Sequence, residues 1–124
     1  MRAVFESADF LKIAQQALHL SPSEAGWRTA INRAYYAAFR VARDYCRVPN
    51  RIDGVGSHDA VLSAVEALDF PDAGNFANSL RTIKKWRTRA DYEATFHDLE
   101  HIATKSVDDA ELIVQWFRRL PTRT

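Results

Sequence analysis

An all-α fold, an antiparallel bundle of four to five helices, follows from three features of the sequence. Apolar residues recur at helical spacing over long stretches, no run alternates as a strand does, and most of the four Gly and four Pro cluster between those stretches. At 124 residues one core is expected, so residues 1–124 read as a single helical domain. Apolar residues at 47% and charged residues at 27% exclude disordered and fibrous classes. No apolar run approaches the roughly 18 residues needed to span a bilayer. Glu6, Asp9 and Lys12 interrupt the start where a signal peptide needs an apolar stretch, so a cytoplasmic protein with no membrane partner is expected. Cys46, the one cysteine, offers neither an internal disulfide nor a thiolate zinc cage.

The first helix is expected over residues 7–19, with Phe10, Ile13, Ala14, Ala17 and Leu18 on one face. Ser21 can cap the second, Pro22 suits its first turn and Glu24 completes a capping box. That helix spans 22–47, with Trp27, Ala30, Ile31, Ala34, Tyr35, Ala38, Val41, Ala42 and Tyr45 as its apolar stripe. Its many alanines let neighbours approach closely, which makes it the central helix. Residues 49–56 read as a loop, and Ser57 can cap a short third helix over 57–68. Asp69, Pro71 and Asp72 open a fourth that ends near Arg89, followed by a break over 90–94. Thr95 with Asp98 has the capping-box pattern for a fifth, which Pro121 ends. The fifth helix's stripe is Phe96, Leu99, Ala103, Ser106, Ala110, Ile113, Val114 and Phe117.

Total charge is nearly balanced, 17 basic against 16 acidic residues, but its distribution is not. Arg28, Arg33, Arg40, Arg43, Arg47 and Arg51 face only Asp44 in their segment, whereas residues 91–111 hold seven acids against Lys105. A molecule basic on one side and acidic on another is expected. On the second helix, Tyr36, Arg40, Arg43 and Arg47 form a ridge with Arg33 beside it, suited to a phosphate backbone, to solvent or to an acidic protein surface.

The fourth helix holds the main anomaly. Its inward stripe runs Phe76, Leu80, Ile83 and then Arg87 before Ala90. A guanidinium there needs an acid, a hydroxyl or a bound anion, and a structural ion pair competes with an anion site. Around it stand Trp86, Arg89, Asp91 and Tyr92, the ingredients of a site for phosphate and base. HDLEH at residues 97–101 matches the H-x-x-E-H pattern of one zinc metallopeptidase class. His97 and His101 nevertheless project about 170° from the apolar stripe. A solvated acidic face is the reading adopted, with no metal and no cofactor. Cys46 reads as a packing residue, and His58, in GSHDAV, sits in the first turn of the third helix, where capping is the simplest role.

The string RTAINRAYYAAFRVARDYC at 28–46, and GSHDAV followed by LRTIKKWRTRADYEATF, resemble in order and spacing the HEPN family. These are small helical domains named for higher eukaryotes and prokaryotes nucleotide-binding. The second pair of strings resembles a short prokaryotic subfamily in which R-x-x-A-D-Y closes the fourth helix. The resemblance covers residues 27–117. It implies a bundle that dimerises and serves in toxin–antitoxin, defence or RNA-processing systems, often beside a nucleotidyltransferase-like partner. Many members are metal-independent ribonucleases whose signature is Arg, four to six residues, then His. Arg87 takes the arginine position, and Tyr92 stands where the histidine belongs.

Three readings follow. The first is an RNA- or nucleotide-binding protein using Arg87, Arg89, Tyr36, Arg33, Arg40 and His58. The second is an active ribonuclease using Arg87, Tyr92 and Asp91. The third is a non-catalytic interaction module for a nucleotidyltransferase. A phenol, with a pKa near 10, is a poor general base at neutral pH, so binding requires less of this sequence than cleavage does.

Overall fold

The computed structural model describes residues 6–49 and 57–122, and every regular element within them is an α-helix. The chain runs α1 (Asp9–Leu20), α2 (Glu24–Cys46), α3 (Ser57–Glu66), α4 (Ala73–Tyr92) and α5 (Leu99–Arg119), packed as a bundle. No helix among the described residues is long and apolar enough to cross a membrane.

The bundle is built around α2, which packs against all four other helices. Ala30, Ala34, Ala37, Ala38 and Ala42 are completely buried, and such small side chains let helix axes approach to about 8–10 Å. Ala37 and Phe39 lie outside the expected stripe but are buried too, because α2 is enclosed on more than one side. The opposite holds for α1, which packs only on α2 and α5 and needs a narrower stripe. Ala14 is buried there, whereas Ile13, expected inside, is 44% exposed. Every residue of the expected α5 stripe is buried, joined by Val107 and Trp116. Phe76 near the start of α4 stacks on Trp116 at 4.6 Å, so aromatic packing closes one end of α4, while its other end carries polar side chains.

Beyond shifts of one or two residues at the ends of α1 and α2, helix boundaries depart from expectation at four places. Ser23, not Ser21, caps α2, with its Oγ accepting from Gly26 N at 3.1 Å. The carbonyl of Ser21 instead lies against Gly26, where a Cβ would stand 1.8 Å from that oxygen. Only glycine allows the chain to turn this tightly between α1 and α2. At the next departure, α4 continues through Tyr92 rather than ending near Arg89. Arg28 explains the extension: its guanidinium donates to Ala90 O at 2.7 Å, giving a carbonyl in the last turn a partner from another helix, and to Ala94 O just beyond the helix at 3.2 Å. Third, α5 begins at Leu99 rather than at Thr95. Asp98 precedes it in the left-handed region with φ 57° and without a side-chain cap. Last, α3 begins at Ser57 itself and ends at Glu66, two residues short of Leu68. The loop expected at 49–56 lies outside the described residues, Pro49 excepted.

Candidate functional site

Where the last turn of α4 crosses α2, five side chains join in a closed circuit. Arg33 Nε donates to Asn32 Oδ1 at 2.8 Å, and Asn32 Nδ2 donates to both carboxylate oxygens of Asp91 at 3.3 Å. Arg87 Nε lies 3.1 Å from Asp91 Oδ2 as an ion pair rather than an aligned hydrogen bond. Arg87 Nη2 then donates to the Tyr36 hydroxyl at 3.3 Å, and the Tyr36 ring returns the circuit to Arg33, whose guanidinium carbon is 5.1 Å from the ring centroid. Arg87 faces that ring at 5.5 Å and the Tyr35 ring at 5.8 Å. Its side chain is only 19% exposed. Contact with π faces and one carboxylate offsets the cost of withdrawing this cation from water.

Helix geometry explains the assembly. Arg28, Asn32 and Tyr36 follow each other at intervals of four along α2 and so share a face, with Arg33 on its flank. Arg87 and Asp91 are likewise four apart on α4, in the acid-after-base order of an i,i+4 pair. Arg28 fixes where α4 ends, which sets the height of Asp91 against Asn32. Beside the circuit opens a shallow cleft of about 440 Å³ lined by Arg28, Thr29, Asn32, Arg33 and Asp91. The acids in contact there are Asp91 and Glu24, the latter 3.1 Å from Arg28.

Beneath Arg87 the circuit rests on a pair formed by the buried Tyr35 and the half-buried His58. The hydroxyl of Tyr35, a residue 1% exposed, is hydrogen-bonded to His58 Nδ1 from the first turn of α3. Burial raises the Tyr35 pKa, against a smaller opposing effect of Arg87, so the hydroxyl keeps its proton. Burial also lowers the His58 pKa, helped by the Lys84 and Arg87 cations and opposed by Asp59. A neutral imidazole accepting the phenolic proton at Nδ1 carries its own proton on Nε2. The alternative tautomer would leave the buried hydroxyl proton without an acceptor.

The residues expected to form the site divide into two groups. Arg87, Asp91, Tyr36 and Arg33 meet in the circuit, and His58 supports it through Tyr35. Arg40 is half-buried against α1, 5.5 Å from the Phe10 centroid, which Arg33 also faces at 5.2 Å, so the ridge on α2 is partly covered rather than open. Arg89 pairs with Glu93 at 3.1 Å and lies 4.5 Å over the Phe96 ring, outside the circuit. Tyr92 is 78% exposed at the last position of α4 and takes no part in it. Trp86 packs against the core. Asn32, Arg28 and Tyr35 were not singled out by motif. The four-residue spacing Arg28, Asn32, Tyr36, which puts all three on one face of α2, is the sequence signal for Asn32 and Arg28.

The HDLEH string does not form a helical pair of ligands, since His97 precedes Asp98 and only His101 lies within α5. Both histidines are exposed, and among the described residues no three His, Cys, Asp or Glu side chains are grouped to hold a metal ion. No family model, curated protein or solved structure matches this chain.

Proposed function

We propose that the chain is a HEPN-like RNA- or nucleotide-binding protein of a prokaryotic toxin–antitoxin, defence or RNA-processing system, acting in the cytoplasm as a homodimer. The observation that carries this reading is Arg87. It is a half-buried guanidinium, joined to Tyr36 and to Asp91, and Asp91 lines a cleft whose cations are Arg28 and Arg33. Guanidinium groups held in fixed orientation suit phosphate oxygens better than freely rotating cations do. The family resemblance adds RNA and nucleotides as the phosphate compounds in question, and a nucleotidyltransferase-like protein as a further partner.

Binding rather than cleavage is the better-supported activity. Tyr92, the residue in the histidine's place, is exposed and takes no part in the circuit around the Arg87–Asp91 pair, and phenols as a class are poor general bases at neutral pH. The test is titration of purified protein with mixed single-stranded RNA in low salt, with EDTA present and the RNA checked for cleavage. Wild type is expected to bind without cutting. Three guanidiniums on phosphate predict a slope of log affinity against log salt of about −2. Efficient cutting lost in Tyr92→Phe makes the protein a ribonuclease using Arg87 and Tyr92. No binding of RNA, nor of nucleotides titrated under the same conditions, makes it an interaction module.

A further inference from the structure

Asp91 holds a position in the circuit where a ligand anion would be expected. Its carboxylate receives both Asn32 contacts at 3.3 Å, lies 3.1 Å from Arg87, and forms one wall of the cleft shared with Arg28 and Arg33. The aromatic rings of this region are already faced by cations. Tyr36 has Arg33 and Arg87 over it, and Phe10 has Arg33 and Arg40. Recognition in the cleft therefore falls to charge and hydrogen bonds rather than to base stacking on these rings.

We propose that the Asn32–Arg33–Arg87 group is a seat for a terminal phosphomonoester, and that the Asp91 carboxylate is its resident placeholder, displaced when the ligand enters. This rests on the phosphate-binding reading above and specifies the ligand class. Displacing one carboxylate by one internal RNA phosphodiester exchanges a single negative charge for another, with no net Coulombic gain. A terminal monoester near neutral pH carries close to two negative charges and three equivalent oxygens, so the same exchange gains about one charge against two guanidiniums. The side chain can leave because it stands one residue from the end of α4 and is partly exposed. On release, Asn32 Nδ2 and Arg87 face the entering oxygens.

The experiment compares one short single-stranded oligoribonucleotide in three forms: with a 5′-phosphate, with a 3′-phosphate, and with hydroxyls at both ends. Wild type, Asp91→Asn and Asp108→Asn are titrated with each in low salt. Asp108, exposed on α5, controls for the loss of any one acid. Wild type is expected to favour a phosphate-ended form over the hydroxyl-ended one by about tenfold, and the favoured end identifies the terminus read. Asp91→Asn should tighten the hydroxyl-ended form by about tenfold, to roughly the wild-type affinity for the phosphate-ended form, while Asp108→Asn changes nothing comparable.

If wild type binds all three forms equally, or Asp91→Asn binds no tighter than wild type, Asp91 is not a placeholder and the proposal falls while RNA binding stands. If the three proteins bind none of the oligonucleotides, the binding reading falls with it. The wild-type comparison across the three RNAs needs no variant, so an Asp91→Asn protein that failed to fold would still leave the end preference to decide.

Discussion

The α2–α4 circuit and the outer face of α5 are both dense in charge, yet they differ in construction. In the circuit each charged group has a fixed partner: Arg33 on Asn32 and two rings, Arg87 on Asp91 and Tyr36, Asp91 on Asn32. On α5, Glu100, His101, Lys105 and Asp108 are exposed, and Lys105 reaches Asp109 only at 3.8 Å across one helical turn. Exposed pairs of that kind are worth little and are screened by salt. Charge density therefore does not distinguish the two regions; what does is whether the charge is held in place by rings and amides.

The largest way to break this comparison is to remove the frame on which both regions rest. Gly26→Ala places a Cβ against the Ser21 carbonyl and should destabilise the fold by about 3 kcal/mol, read as a fall in chemical-denaturation midpoint. Next comes Arg87→Ala, which should weaken low-salt RNA binding about tenfold and flatten the salt slope by about 0.7. An unchanged slope would show that Arg87 serves structure alone. Tyr35→Phe should cost about 1 kcal/mol, since it leaves the half-buried His58 Nδ1 without its donor.

A pH comparison sharpens the contrast further. The folded-state pKa of His58 is lowered by burial, Lys84 and Arg87, so below about pH 6.5 the unfolded chain binds more protons than the native one. The stability this neutral histidine contributes is complete above that pH and declines as the pH falls through the window beneath it. The difference in Tm between about pH 7.5 and about pH 5 should be smaller in His58→Gln than in wild type. The smallest effect belongs to α5: replacing His97 and His101 together by alanine should shift stability by less than about 0.5 kcal/mol, with or without a chelator.

Much of this was readable in the sequence because it is periodic. The stripes of α2 and α5, the five helices and the inward position of Arg87 follow from spacing alone, since burial on a helix repeats every 3.6 residues. What spacing could not supply depends on partners distant in the chain. The end of α4 lies at Tyr92 because Arg28, more than sixty residues earlier, bonds the Ala90 carbonyl in its last turn. Asn32 carries no motif, and its importance comes from Asp91 arriving opposite it. Ile13 is apolar at helical spacing yet exposed, because whether a helix buries a wide or a narrow stripe depends on how many neighbours it has.

The interleaving along α2 has a practical consequence for engineering. Ala30, Ala34, Ala37 and Ala38 pack the bundle, while Asn32, Arg33 and Tyr36, set between them in sequence, belong to the polar circuit. The two sets point in different directions, so the polar positions can be recoded without enlarging the core. A library varied at 32 and 33, with the alanines and Arg28 untouched, would recast the polar lining of the cleft on an unchanged scaffold.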